Sequence, residues 1–241
     1  MIARTTAVVE PGGVLGAVSC APPLTLRQVH GEQVPPTTPT LHHERRCELR
    51  LVGTAAGPLA GDDLALSLRL LPGARATLRA AGASVAQGAG GDRVLAIRAE
   101  LGDGADLIAE PGALVACAGS RVEVRVEIAL GAGAAVDWRE LIVLGRTGEP
   151  AGQATLRWDV TRCGEPVLRQ FADLGPALYR GGRVLACALI SDPAASMRTA
   201  VESAVAVAQR LNDHTVLVSV LEDDAARAVR RLGVLCAQAR S

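Results

Sequence analysis

The chain contains no lysine, and all 25 of its basic residues are arginine. A Walker A phosphate loop, a Schiff-base enzyme and a kinase-type ATP site each need a lysine, so these chemistries are excluded. A single asparagine (Asn212) among abundant Ala, Gly and Arg marks the coding bias of a GC-rich genome. Aromatic residues make up 2 % of the chain, so Val, Leu and Ala must fill the core. The acidic and basic residues balance at 25 each. Without a basic footprint or stacking platforms, nucleic-acid binding is not expected. Long hydrophobic runs are missing too, so no membrane span is expected. The apolar stretch near the N-terminus stops at Glu10 and Pro11, too short for the core of a signal peptide. The six cysteines, Cys20, Cys47, Cys117, Cys163, Cys187 and Cys236, form no CxxC pair. They read as reduced, mostly buried thiols of a cytoplasmic protein.

What is present is a β pattern. Apolar residues make up 49 %, punctuated by 26 Gly and 13 Pro, which suits many short strands. In Arg121–Ile128 the charged residues occupy one face, and Val122, Val124, Val126 and Ile128 the other. Asp63–Leu70 alternates in the same way, with Leu64, Leu66, Leu68 and Leu70 inward. Gln153–Val160 does so with Ala154, Leu156, Trp158 and Val160 inward. Weaker strands are expected near Thr5–Val9, Leu24–Val29, Glu48–Val52, Arg75–Ala80, Val94–Leu101, Trp138–Leu144 and Val184–Ile190. Turns with Gly-Ala recur at Gly73, Gly104 and Gly133, about thirty residues apart, a spacing that fits stacked supersecondary units or, alternatively, ordinary hairpins. Gln33–Arg46, rich in Pro, reads as a surface loop. After Asp192 the spacing of Met197, Val201, Ala204, Val205, Ala208 and Leu211 predicts a helix over Pro193–Leu211. A strand, Thr215–Leu221, and a second helix, Asp223–Gln238, are expected to follow. The expectation is a mainly β protein of one domain, residues 1–241. It would have a β body over 1–191 and an α-β-α part over 192–241.

The search for chemistry finds little. No zinc ligand spacing and no GxSxG is present, and the GAGG run at Gly88–Gly91 lacks the context of a dinucleotide loop. His42 and His43, with Glu44 and Cys47 following, offer imidazole and thiol groups that suit nickel or copper, with a polar loop as the alternative. Asp62 and Asp63 at a turn, and Glu140 after Trp138-Arg139, are the carboxylates of interest. Paired across a β-scaffold they would make a carboxylate-dependent glycosidase or lyase. The structural alternative has Asp62 capping a turn and Glu140 pairing with Arg139 or Arg146 at the surface.

Two segments carry a resemblance. In Thr54–Leu78 a Gly-rich turn leads through Gly-Asp to an alternating strand and a Pro-Gly-Ala turn. In Val136–Gln170 a Trp-Arg-Glu strand leads to Leu-Gly-Arg, a Gly-Glu turn and two further strands. Together, in this order, they resemble the urease accessory protein UreD (UreH) family, and the resemblance runs from Thr5 to about Leu221. It implies a large twisted β-sheet body related to a β-helix, with two helices. It implies a partner role too: UreD-type proteins join UreF and the GTPase UreG in a complex that binds apo-urease and delivers nickel. In that role nickel is transient cargo, no cofactor is bound tightly and no catalytic residue is needed. Asp62, Asp63 and Glu140, which lie in the two segments, are then candidates for the nickel route. A structural β-repeat protein with an unrelated partner is the alternative.

Overall fold

A computed structural model describes residues 1–29, 45–175, 182–203 and 205–240, with Glu202 described by its backbone alone. Strand β1 (Ile2–Glu10) turns back into β2 (Val14–Ser19), and β3 (Leu24–Gln28) pairs antiparallel with β4 (Cys47–Gly53). A repeating coil follows. β5 (Asp63–Leu70) leads to β6 (Arg75–Ala80) and the short β7 (Ser84–Ala86). β8 (Val94–Leu101) leads to β9 (Asp106–Glu110) and β10 (Ala113–Ala116), and β11 (Arg121–Leu130) leads to β12 (Ala135–Leu144). β13 (Gln153–Arg162) and β14 (Glu165–Leu174) form a hairpin. The chain ends in β15 (Val184–Ser191), β16 (Ala200–Ser203), β17 (Ala206–Asn212), β18 (Thr215–Glu222) and the helix α1 (Ala225–Arg240).

The coils stack into two sheets. The first has seven strands in the order β14-β13-β11-β8-β5-β1-β2. The second has eleven, ordered β16-β17-β18-β15-β12-β9-β6-β4-β3 with β7 and β10 to the side. Parallel, in-register pairing lines up equivalent inward residues of successive coils. Leu66, Ile97, Val126 and Trp158 form one such row, and Leu49, Leu78, Ala109 and Trp138 form another on the facing sheet. All eight are buried, each large side chain contributing about 1.5–3 kcal/mol.

The Gly-Ala turns make the corner between the sheets. Gly73, Gly104 and Gly133 adopt φ of 72°, 66° and 66°, a conformation open to Gly without steric cost. The following Ala74, Ala105 and Ala134 are fully buried. These turns also bond to one another, Gly73 N to Asp103 O and Gly104 N to Ala132 O. The repeat is therefore a stack of coils and not a set of separate hairpins.

The C-terminal part differs from the α-β-α expectation. Ala200–Ser203 and Ala206–Asn212 form β16 and β17, not a helix, so among the described residues one of the two expected helices forms. β17 pairs with β18 from Ala206↔Val220 to Asn212↔Thr215. The helical spacing misleads because the buried positions there are Met197, Ala206 and Ala208, while Val201 is 69 % exposed. Asn212 marks a hairpin turn, its Oδ1 accepting from His214 N. Helix α1 does form, capped by Asp224, whose Oδ1 accepts from Arg227 N at 2.7 Å. Its buried face, Ala228, Leu232, Leu235, Cys236 and Ala239, lies on the outer side of β15 and β18. β15 is thus covered on both faces, which explains its unbroken apolar run. No helix among the described residues is long and apolar enough to cross a membrane.

Candidate functional site

β12 alternates strictly, with Val136, Trp138, Glu140, Ile142 and Leu144 inward. The carboxylate of Glu140 therefore takes a core position between the two sheets and is 5 % exposed. The surface pairing with Arg139 or Arg146 does not occur. Arg139 pairs with Asp137 and Glu110, and Arg146 with Glu149. Glu140 Oε1 instead accepts a hydrogen bond from Trp138 Nε1 at 2.6 Å. Among the described residues no cation pairs with it. Burial pushes its carboxyl up to about 7, and the Trp138 hydrogen bond offsets only part of that rise.

The neighbours of Glu140 are set by topology. On one side it faces Cys187 of β15, whose thiol burial pushes up to about 12 and whose Sγ lies 3.7 Å from Ser219 Oγ. On the other side the ladder is interrupted. β12 pairs with β9 as far as Trp138↔Ala109 and with β10 from Leu141↔Ala113. Arg139 and Glu140 thus stand opposite the break at Pro111-Gly112. Gly112 adopts φ 97°, and a Cβ there would meet Ala80 Cβ at 2.6 Å, so only Gly passes at this point. A groove of about 200 Å³ opens beside the break and α1, lined by Gly112, Arg139, Glu140, Leu141 and Leu232 among others.

Asp62 and Asp63 lie elsewhere, at the start of β5 on the first sheet. Asp62 closes a turn: its Oδ2 accepts from Leu59 N at 2.8 Å and its Oδ1 from the Met1 amine at 2.8 Å. Burial raises the Asp62 pKa, but those hydrogen bonds and the charges of the amine and Arg93 outweigh it, so the net shift is downward. Asp63 is half-exposed and pairs with Arg4 at 2.7 Å. Neither shares a hydrogen bond or an ion pair with Glu140. His42, His43 and Glu44 lie outside the described residues. Cys47 is buried in the core, and burial with the Glu48 charge holds its thiol at about 11. Among the described residues no cluster of three or more His, Cys, Asp or Glu is placed to hold a metal ion.

Sequence reasoning missed Arg93. It is 1 % exposed and holds the Gly-rich loop through the carbonyls of Gln87, Gly88 and Gly91, and bonds to Arg121 O in the next coil. The signal available was an arginine directly after GAGG-Asp.

Residues 22–241 match the family described as UreD urease accessory protein. The chain belongs to that family. The match takes in most of the chain, including the C-terminal hairpin and α1, which extends the resemblance beyond Leu221. No curated protein matches the chain. Membership of the UreD family makes this a urease accessory protein, and its stacked-coil body agrees with the β-helix relationship that the resemblance implied.

Proposed function

We propose that this UreD-type chain is the scaffold of a complex with UreF and the GTPase UreG that engages apo-urease in the cytoplasm, and that nickel passes through its interior by way of Glu140. The carrying observation is the carboxylate itself. A charged group with no cation partner inside an apolar sandwich is costly, and folds rarely retain one without use. With its pKa near 7, Glu140 takes up and gives off a proton, and hence a cation, close to neutral pH. One carboxylate beside a protonated thiol is a weak donor set for nickel, which is what transient cargo requires, since a closed site would trap it. Six free thiols agree with a reducing compartment.

Asp62 and Asp63 have a weaker claim, because the Met1 amine and Arg4 already neutralise them. A glycosidase or lyase needs two carboxylates facing one substrate. Glu140 stands on the opposite sheet from Asp62 and Asp63, so nothing favours that reading. The test is urease activation at limiting nickel with Glu140→Gln and Glu140→Ala, assembly with UreF and UreG being checked by co-purification. Both variants should assemble yet activate poorly, and excess nickel should restore part of the activity. Activation equal to the parent by both variants would remove Glu140 from the route.

A further inference from the structure

The outer face of the second sheet carries an unbalanced row of arginines. Arg27 of β3 stands opposite Arg50 of β4, and Arg50 opposite Arg79 of β6. Arg79 in turn faces Glu110 of β9. Arg139 of β12 continues the row and reaches the same Glu110 at 3.5 Å, while Arg79 reaches it at 3.3 Å. Glu110 is thus shared by two guanidinium groups, Arg139 is also held by Asp137, and Arg27 and Arg50 have no acceptor among the described residues. Arg50 is half-buried, and its Nη1 is itself buried without a hydrogen-bond partner. Glu48, two positions along β4 on the same face, makes no ion pair with them. Helix α1 packs mainly on β15 to β18 and meets this region at its β12 side.

The outer face of the first sheet is more evenly balanced. There Arg69 pairs with Glu100, Arg98 with Glu127, Arg125 with Glu123 and Arg169 with Asp159. Most of its charges thus have an opposite on the same or an adjacent strand, Arg157 of β13, which faces Arg125, being an exception. Like charges directly opposite one another on neighbouring strands are destabilising. The second sheet tolerates that cost at Arg27 and Arg50 without a counter-charge among the described residues, and at Arg79 with only the shared Glu110.

We infer that this arginine row is a docking surface for an extended acidic segment of a partner protein. Strands lie about 4.8 Å apart, so the row from Arg27 to Arg139 spans roughly 19 Å. An extended peptide of about six residues covers that length, with carboxylates directed at the unpaired end of the row, Arg27 and Arg50. A nucleic acid fits less well. Glu110 within the row and Glu48 beside it would oppose a continuous phosphate backbone, and aromatic platforms for bases are lacking.

The experiment uses the full chain and two dye-labelled probes, an eight-residue peptide of alternating Glu and Ala and an eight-nucleotide single-stranded DNA, read by fluorescence anisotropy. The parent should bind the peptide in preference to the DNA, and added salt should weaken the complex. Arg27→Gln combined with Arg50→Gln should weaken peptide binding at least tenfold, whereas Arg98→Gln on the first sheet should leave it unchanged. The double variant should also melt no lower than the parent, because it relieves like-charge contacts. Equal peptide binding by parent and double variant would overturn the inference. So would no peptide binding by the parent, tighter binding of the DNA, or a lower melting temperature of the double variant.

Discussion

Replacing Glu140 by glutamine should stabilise this protein above neutral pH and leave it unchanged in mild acid. The amide keeps an oxygen for Trp138 Nε1 and removes the charge. In the parent the carboxyl is pushed from its ordinary 4.5 to about 7 by burial, so ionisation is disfavoured in the folded state. Each pKa unit is worth about 1.4 kcal/mol, which places the penalty on the ionised form at about 3 kcal/mol. Below pH 4.5 the carboxyl is protonated both folded and unfolded, and no penalty exists. Between 4.5 and about 7 the unfolded chain has released the proton while the folded chain keeps it, so stability falls as pH rises. Above that range the full penalty applies. For a domain of this size about 3 kcal/mol corresponds to roughly 6–12 °C in Tm. Thermal unfolding of the parent and Glu140→Gln at pH 4.5 and pH 8 measures the difference, and other titrating groups cancel in it. A variant that is no more stable than the parent at pH 8, or a gain equally large at both pH values, would refute the reasoning. With the activation assay above, the substitution should yield a sturdier protein that matures urease less well.

Two further expectations concern other buried groups. Arg231→Ala should lower stability by about 2–4 kcal/mol, because it strips the 7 % exposed Glu222 of its closest cation and α1 of its bond to Ser203 Oγ. Denaturant titration would show it, and a loss within 0.5 kcal/mol, about that of an exposed pair, would count against a structural ion pair there. A thiol reagent at pH 8 should modify Cys20 and Cys163 quickly. Cys47, Cys187 and Cys236, whose thiols burial pushes up to about 11, 12 and 11, should react only after unfolding, and fast reaction of any of these three would contradict the packing.

The body of the fold was legible wherever one face met water and the other the core. Arg121–Ile128 and Asp63–Leu70 alternate cleanly and became β11 and β5. The Gly-Ala turns announced the coil because a positive φ beside a buried Ala recurs at one spacing. Short β2, β7 and β10 escaped notice, since a few residues carry too little periodicity. Residues 200–212 misled for a different reason: Ala and Val at three- and four-residue spacing fit a helix, and only pairing with β18 decides for strands. At the candidate site the sequence named Glu140, and its structural alternative set it at the surface. The alternation Val136, Trp138, Glu140, Ile142, Leu144 already placed it among core positions, and the charge obscured that pattern. Asp62 and Asp63 were visible as carboxylates, whereas their cations, Met1 and Arg4, come from a strand sixty residues away and appear only once the chain is folded.

The stacked coils leave a mark on how the sequence can vary. Partners across the ladder sit one coil apart: Arg69 with Glu100, Arg79 with Glu110, Arg98 with Glu127, Arg121 with Gln153. A charge reversed at one of these positions is compensated most directly about thirty residues along the chain, not at its sequence neighbours. The chain therefore behaves as a text written in lines of fixed width, whose meaning runs down the columns. An insertion inside a strand shifts every column below it by one place and turns a core side chain outward. At the corners, where Gly and Ala close each line, the same insertion moves no column.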